Sequence, residues 1–309
     1  MDHYPFFENP PAGFPNASTD GYHKNLGLLR ESSLAHGGVP FWNFFNAIPF
    51  QTHMAPTAGM TAWQAFTSLA YGAKGVLYFT YWAPGHAASG QVHRSLADVI
   101  GRSVKPDSSS ATIGGGGAGL EGKQGGLGGV QSVFTKGGGL ISPSAIGLGA
   151  GAKRTWGPTA QYGYARDVNS LLLNFGNFLF EYTSTAVWRV ARGGNASSVS
   201  PLPPQLCPIV AVYETDSSGT PVAAELQGEY LVGLFQTPGK LQTAALIVNQ
   251  RFDIELWPTV DFSSATDPAS VHEVDPVSGK LRLVKDDSPD LPGLQMALAP
   301  GSARLLVFV

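Results

Sequence analysis

The chain has 309 residues, 43% of them hydrophobic and 11% aromatic, enough for a sizeable buried core and for two domains. Only 13% are charged and the formal net charge is -3, so the sequence carries neither the basic footprint of a nucleic-acid binder nor a surface drawn to anionic membranes. The single Cys207 excludes an intrachain disulfide framework and any cysteine-based zinc cluster.

The opening Asp2-His3-Tyr4-Pro5-Phe6 looks like the end of a strand whose beginning is missing, and the Pro- and Gly-rich residues 9–15 form a loop. Thr19 or Asp20 offers a helix N-cap. A first helix is expected over 21–36, with Tyr22, Leu26, Leu29 and Leu34 near helical spacing and Gly37-Gly38 as its stop. The run 39–47, almost continuously apolar and aromatic, suits a strand buried on both faces of a parallel sheet. A second helix follows over 58–71, where Trp63, Phe66, Leu69 and Ala70 make one face and Gly72 ends it. Residues 75–82 then form another short apolar strand with an aromatic exit, Tyr81-Trp82. This alternation is that of a parallel sheet or barrel.

Residues 102–152 collapse toward Gly, Ser and Ala and are expected to be a disordered insertion, with too little apolar area to offset the entropy that glycine loses. They show no Gly-x-x-x-x-Gly-Lys-Ser/Thr phosphate loop. Tyr164, Val168, Leu171, Leu172, Phe175, Phe178, Leu179 and Tyr182 repeat at three and four residues and predict the strongest helix. A Gly-, Asn-, Ser- and Pro-rich linker covers 193–207. Short strands are then expected at 209–213, 229–236, 241–249, 271–274, 280–284, 294–298 and 303–309, separated by turns such as Pro238-Gly239 and Ser278-Gly279, as in a small antiparallel β-sandwich. No run of some 18 apolar residues and no signal peptide occurs, and Asn16-Ala17-Ser18 and Asn195-Ala196-Ser197 would accept glycans only on a secretory route. Localisation stays open.

The run from Trp63 to Trp82, a helix with an alanine-rich, glycine-capped end followed by an apolar strand, resembles the last helix-strand unit of glycoside hydrolase (β/α)8 barrels related to the β-galactosidase families. Asp2-His3-Tyr4-Pro5-Phe6 resembles an earlier barrel strand, and 230–235, 245–249 and 300–305 are similar to the β-sandwich that follows many such barrels. The resemblance implies an α/β plus all-β chain: a partial TIM-type barrel unit at 1–101, the insertion at 102–152, the final barrel helix at 153–192, the linker at 193–207 and the sandwich at 208–309. It also implies a carbohydrate partner and a chain holding about the last three of eight barrel units.

Glycoside hydrolysis uses two carboxyl groups, and barrel sites lie at strand C-terminal ends. Asp2 is the one carboxylate candidate there, and the place that the resemblance gives to a nucleophile holds Asn46, whose amide cannot form a glycosyl ester. Trp42, Tyr81 and Trp82 are candidates to stack on pyranose faces, and His3, Tyr4, Asn43, Asn46, Gln51 and His53 to line the mouth. Core packing, loop hydration and satisfied core amides are the plainer roles of these same residues. His86 and His93 lack carboxylates at ligand spacing, so neither a metal nor a cofactor is expected. Three readings stand: a glycoside hydrolase-like chain with an incomplete carboxylate pair, a non-catalytic carbohydrate-binding protein, or a degenerate truncated product. In the last, unpaired barrel strands invite self-association, and residues 208–309 fold without the rest.

Overall fold

The computed structural model describes residues 3–7, 19–49, 53–79, 141–143, 156–190, 208–223, 228–240, 242–264, 266–267, 270–291 and 293–309. The sequence-predicted insertion, apart from 141–143, and the linker lie outside them, as do Asp2, Gln51, Tyr81, Trp82, His86, His93 and Cys207.

Local chemistry sets the helix ends. Helix α1, Thr19–Ala35, stops where Gly37 and Gly38 take positive φ and the Gly38 N–H returns to Ser33 O at 2.8 Å. Strand β1, Trp42–Asn46, leads to helix α2, Ala58–Ala70, whose N-cap Thr57 accepts the Met60 N–H. Gly72, at φ 92°, reverses the chain into strand β2, Gly75–Phe79, which pairs in parallel with β1. Two short strands, β3 (Ile141–Pro143) and β4 (Trp156–Pro158), pair with each other ahead of helix α3, Ala160–Leu179. The end of α3 is tied by Lys74, whose ammonium donates to the carbonyls of Leu179, Phe180 and Tyr182 at 3.0, 3.3 and 2.6 Å. A cation there also complements the negative end of the helix dipole.

The remaining strands are β5 (Thr183–Val190), β6 (Ile209–Glu214), β7 (Tyr230–Gln236), β8 (Thr243–Asn249), β9 (Pro258–Phe262), β10 (Val271–Val274), β11 (Leu281–Leu283), β12 (Leu294–Gln295) and β13 (Ala303–Phe308). They form a six-stranded sheet in the order β11-β10-β13-β8-β7-β5 and a three-stranded sheet in the order β12-β9-β6, with every pairing antiparallel. Between the two sheets lies one apolar core, with Tyr230, Val232, Leu234, Ile247 and Leu306 from one side and Ile209, Val212, Val260 and Met296 from the other. The opposite face of the larger sheet, with Leu231, Phe235, Leu246, Val248 and Leu305, packs on Phe66 and Ala70 of α2 and on Phe175 and Leu179 of α3.

This architecture corrects the expectation of a partial (β/α)8 TIM-type barrel. Among the described residues there are three α-helices, β1–β2 is the one parallel pair, and the sheets are otherwise antiparallel. The physical reason is the fate of α2. Residues 63–68 are all buried, because the helix packs with one flank on β1 and with the other on the six-stranded sheet. The helix therefore joins the strand pair to the sandwich instead of forming part of a barrel's outer ring. Contact is so close that a Cβ on Gly233 would stand 2.4 Å from Ala70 O, and one on Gly59 2.2 Å from Phe252 O. No described helix is long and apolar enough to cross a membrane.

Candidate functional site

The C-terminal end of β1 holds an unusual group. Strand side chains alternate between faces, and Asn43 and Phe45 point to the helices. Asn43 donates from Nδ2 to Tyr22 Oη at 2.5 Å and to Ser68 Oγ at 2.8 Å, and Phe45 packs with Ala65 and Val168. Asn46 therefore falls on the other face, beside Phe79, its register partner on β2. Its backbone is held by Gln64: the Asn46 N–H donates to Gln64 Oε1 at 3.2 Å, and Gln64 Nε2 donates to Asn46 O at 3.1 Å. Its carboxamide is fully buried, yet neither Oδ1 nor Nδ2 has a hydrogen-bond partner. Each unmade bond of this kind costs about 1–3 kcal/mol.

Aromatic rings stand next to it. Tyr4 lies 5.3 Å from Phe79, ring centroid to ring centroid, and meets His53 edge-on at 5.7 Å. His53 in turn lies 4.0 Å from Phe7, with which it forms a β-bridge. Tyr4 and Phe79 are half-buried, so this wall reaches the surface, whereas His53 is buried.

From among the sequence candidates the structure brings together Tyr4 and His53, with Asn46 connected to them through Phe79, its register partner. Asn43 is near in sequence but serves the helix side, where its Oδ1 is also without a partner. His3 is buried against α1, with Nδ1 2.7 Å from Asn25 Nδ2 and its ring edge-on to Tyr22. Trp42 lies at the opposite end of β1, 54% exposed, with its indole so close over Gly75 that a Cβ there would approach within 2.6 Å.

Three residues important to the arrangement are not among the site candidates of the sequence: Tyr22, read there only as part of a helix face, Gln64 and Ser68. Tyr22 Oη and Ser68 Oγ both reach Gln64 O, at 3.2 and 2.6 Å, closing a buried polar network with Asn43. Burial pushes the Tyr22 hydroxyl far above its ordinary pKa, against the smaller opposing effect of the bonds from Ser68 and Asn43, so it stays neutral. A signal existed. Gln64 and Ser68, four residues apart in a largely apolar helix, form a polar pair facing β1.

Chemically, the end of the strand pair holds a buried amide whose donor and acceptor are both unpartnered, beside a half-buried aromatic wall. The described residues contain no group of three or more His, Cys, Asp or Glu able to hold a metal ion. No protein-family model, no curated protein and no solved structure matches the chain. The resemblance to glycoside hydrolases therefore finds no support in these comparisons.

Proposed function

We propose that this protein binds a carbohydrate without transforming it, at the C-terminal end of the β1–β2 pair. The observation that carries the reading is the buried Asn46 carboxamide with both polar atoms unpartnered. A sugar hydroxyl supplies both a donor and an acceptor, and a pyranose also presents a C–H face that suits the adjoining Tyr4 and Phe79 rings. Amides and aromatic rings bind such ligands but do not supply the acid and nucleophile of hydrolysis.

Calorimetric titration with a panel of neutral mono- and oligosaccharides tests the reading. Micromolar to millimolar binding that weakens in Phe79→Ala and Tyr4→Ala is expected. Absence of heat with every sugar, in a protein shown to be folded, would remove it.

A further inference from the structure

We infer that Asn46 is the specificity-determining residue of this site and that it selects a neutral cyclic vicinal diol; the inference rests on the carbohydrate-binding reading above. The argument begins with what the carboxamide lacks. Both Oδ1 and Nδ2 are buried and unpartnered, while the backbone N–H and C=O of the same residue are already taken by Gln64. The ligand must therefore satisfy one acceptor and one donor lying side by side in a plane. Two adjacent hydroxyls do so, one donating to Oδ1 and the other accepting from Nδ2.

Charged ligands fit less well. A carboxylate accepts from Nδ2 but leaves Oδ1 without a donor, and an ammonium does the reverse. Either would also give up its hydration for a partner that carries no opposite charge. The ring requirement follows from Phe79, which shares a face with Asn46, and from Tyr4 inclined against it at 38°: a flat apolar face can lie against these rings while its hydroxyl edge meets the amide. Gln64 positions the amide by clamping the Asn46 backbone from both sides.

An unsatisfied buried amide burdens the free protein. Asn46→Leu, with the same number and branching of side-chain heavy atoms but no polar group, should leave thermal stability unchanged or raise it while weakening the ligand at least tenfold. A residue kept for folding alone would show the opposite pattern.

The test titrates the full-length protein and Asn46→Leu with the methyl pyranosides of glucose, galactose and mannose, their single deoxy counterparts, and glucuronic acid, alongside melting curves. The inference expects binding of at least one methyl pyranoside and at least tenfold loss on removing either of two adjacent hydroxyls. It also expects weaker binding of the uronic acid and tenfold or greater loss in Asn46→Leu at an equal or higher Tm. If Asn46→Leu does not fold, the deoxy series on the unaltered protein and the isosteric Asn46→Asp, which removes the donor, carry the decision. Binding that is insensitive to Asn46 and to single hydroxyls, or equal binding of the uronic acid, overturns the inference and leaves the carbohydrate reading standing. No binding of any neutral sugar overturns both.

Discussion

The indole N–H of Trp63, on α2, donates to Oε1 of Gln250, just beyond β8, across 2.9 Å, and both groups are buried. Gln250 also donates from Nε2 to Thr67 Oγ1 at 3.3 Å, so one amide ties two turns of the helix to the antiparallel sheet. Gln250→Leu strands the indole N–H in an apolar interior and should cost about 1–3 kcal/mol. Urea denaturation checks this: the midpoint should fall with the slope unchanged.

Gly233 lies under the same helix. Any side chain there drives a carbon against Ala70 O at 2.4 Å, and the backbone of a packed helix cannot yield as a side-chain tip would. Gly233→Ala should lower stability by about 1–3 kcal/mol through overpacking, and Gly233→Val by more. An unchanged Tm in both variants would show that α2 does not rest on β7 as described.

His23 predicts a pH dependence. Burial, followed by the nearby Arg189, drives its imidazole down to about 4, while Gln250 and Asp20 oppose the shift weakly. The unfolded chain takes up this proton near 6.5 and the folded one resists it until about 4. The unfolded state therefore binds more protons between these values, and stability falls as pH drops through that window, by up to about 3 kcal/mol. His23→Gln should flatten the slope. Asp20, held low by the hydrogen bond from Arg189, titrates below its ordinary 3.8 and does not share the window. Denaturant midpoints at pH 7.5 and 4.5 for the two proteins decide it.

Glu273, on β10, is 2% exposed and sits between Arg304, at 2.5 Å, and Arg282, at 2.9 Å, with Asp287 bridging to Arg304 at 2.9 Å. Removing the carboxylate leaves a half-buried guanidinium without its nearest counter-charge. Glu273→Ala should cost about 3–5 kcal/mol, and adding Arg304→Met should restore part of the loss. Strictly additive effects in the double-mutant cycle would argue that the pair is not coupled.

Residues 208–309 on their own should not form a well-behaved monomer, contrary to what their sequence pattern suggests. Without α2 and α3, the sheet face carrying Leu231, Phe235, Leu246, Val248, Leu305 and Val307 meets water, and without β5 the β7 edge is bare. Dye binding and light scattering should report exposed apolar surface and association. A cooperative, monomeric unfolding transition of that fragment would refute this.

The ends of α1 and α2, the β1-α2-β2 crossover and most antiparallel strands were legible, because capping residues, positive-φ glycines and short alternating runs act over a few residues, whereas the helix expected over 153–192 ends at Leu179. Four strands were not: Ile141–Pro143, inside the glycine-rich tract expected to be disordered, and Trp156–Pro158, each only three residues long, and two longer ones. Thr183–Val190 follows α3 with no glycine or proline between them, so the helical period conceals its start, and Pro258–Phe262 opens on a proline, which only a strand's first position tolerates. In the candidate site, Asn46 was legible as a strand-end polar residue, but its lack of partners was not. Satisfaction of an amide depends on groups far along the chain, here Gln64 and Phe79.

The sequence by itself determined where α1 and α2 stop, that the chain carries a glycine-rich tract, and that a parallel unit precedes an antiparallel region. Only the tertiary structure decided what the parallel unit belongs to. Apolar periodicity says that α2 buries its surface but not against which partner, and the glycine at 233 and the Trp63–Gln250 bond commit it to the sandwich rather than to a barrel.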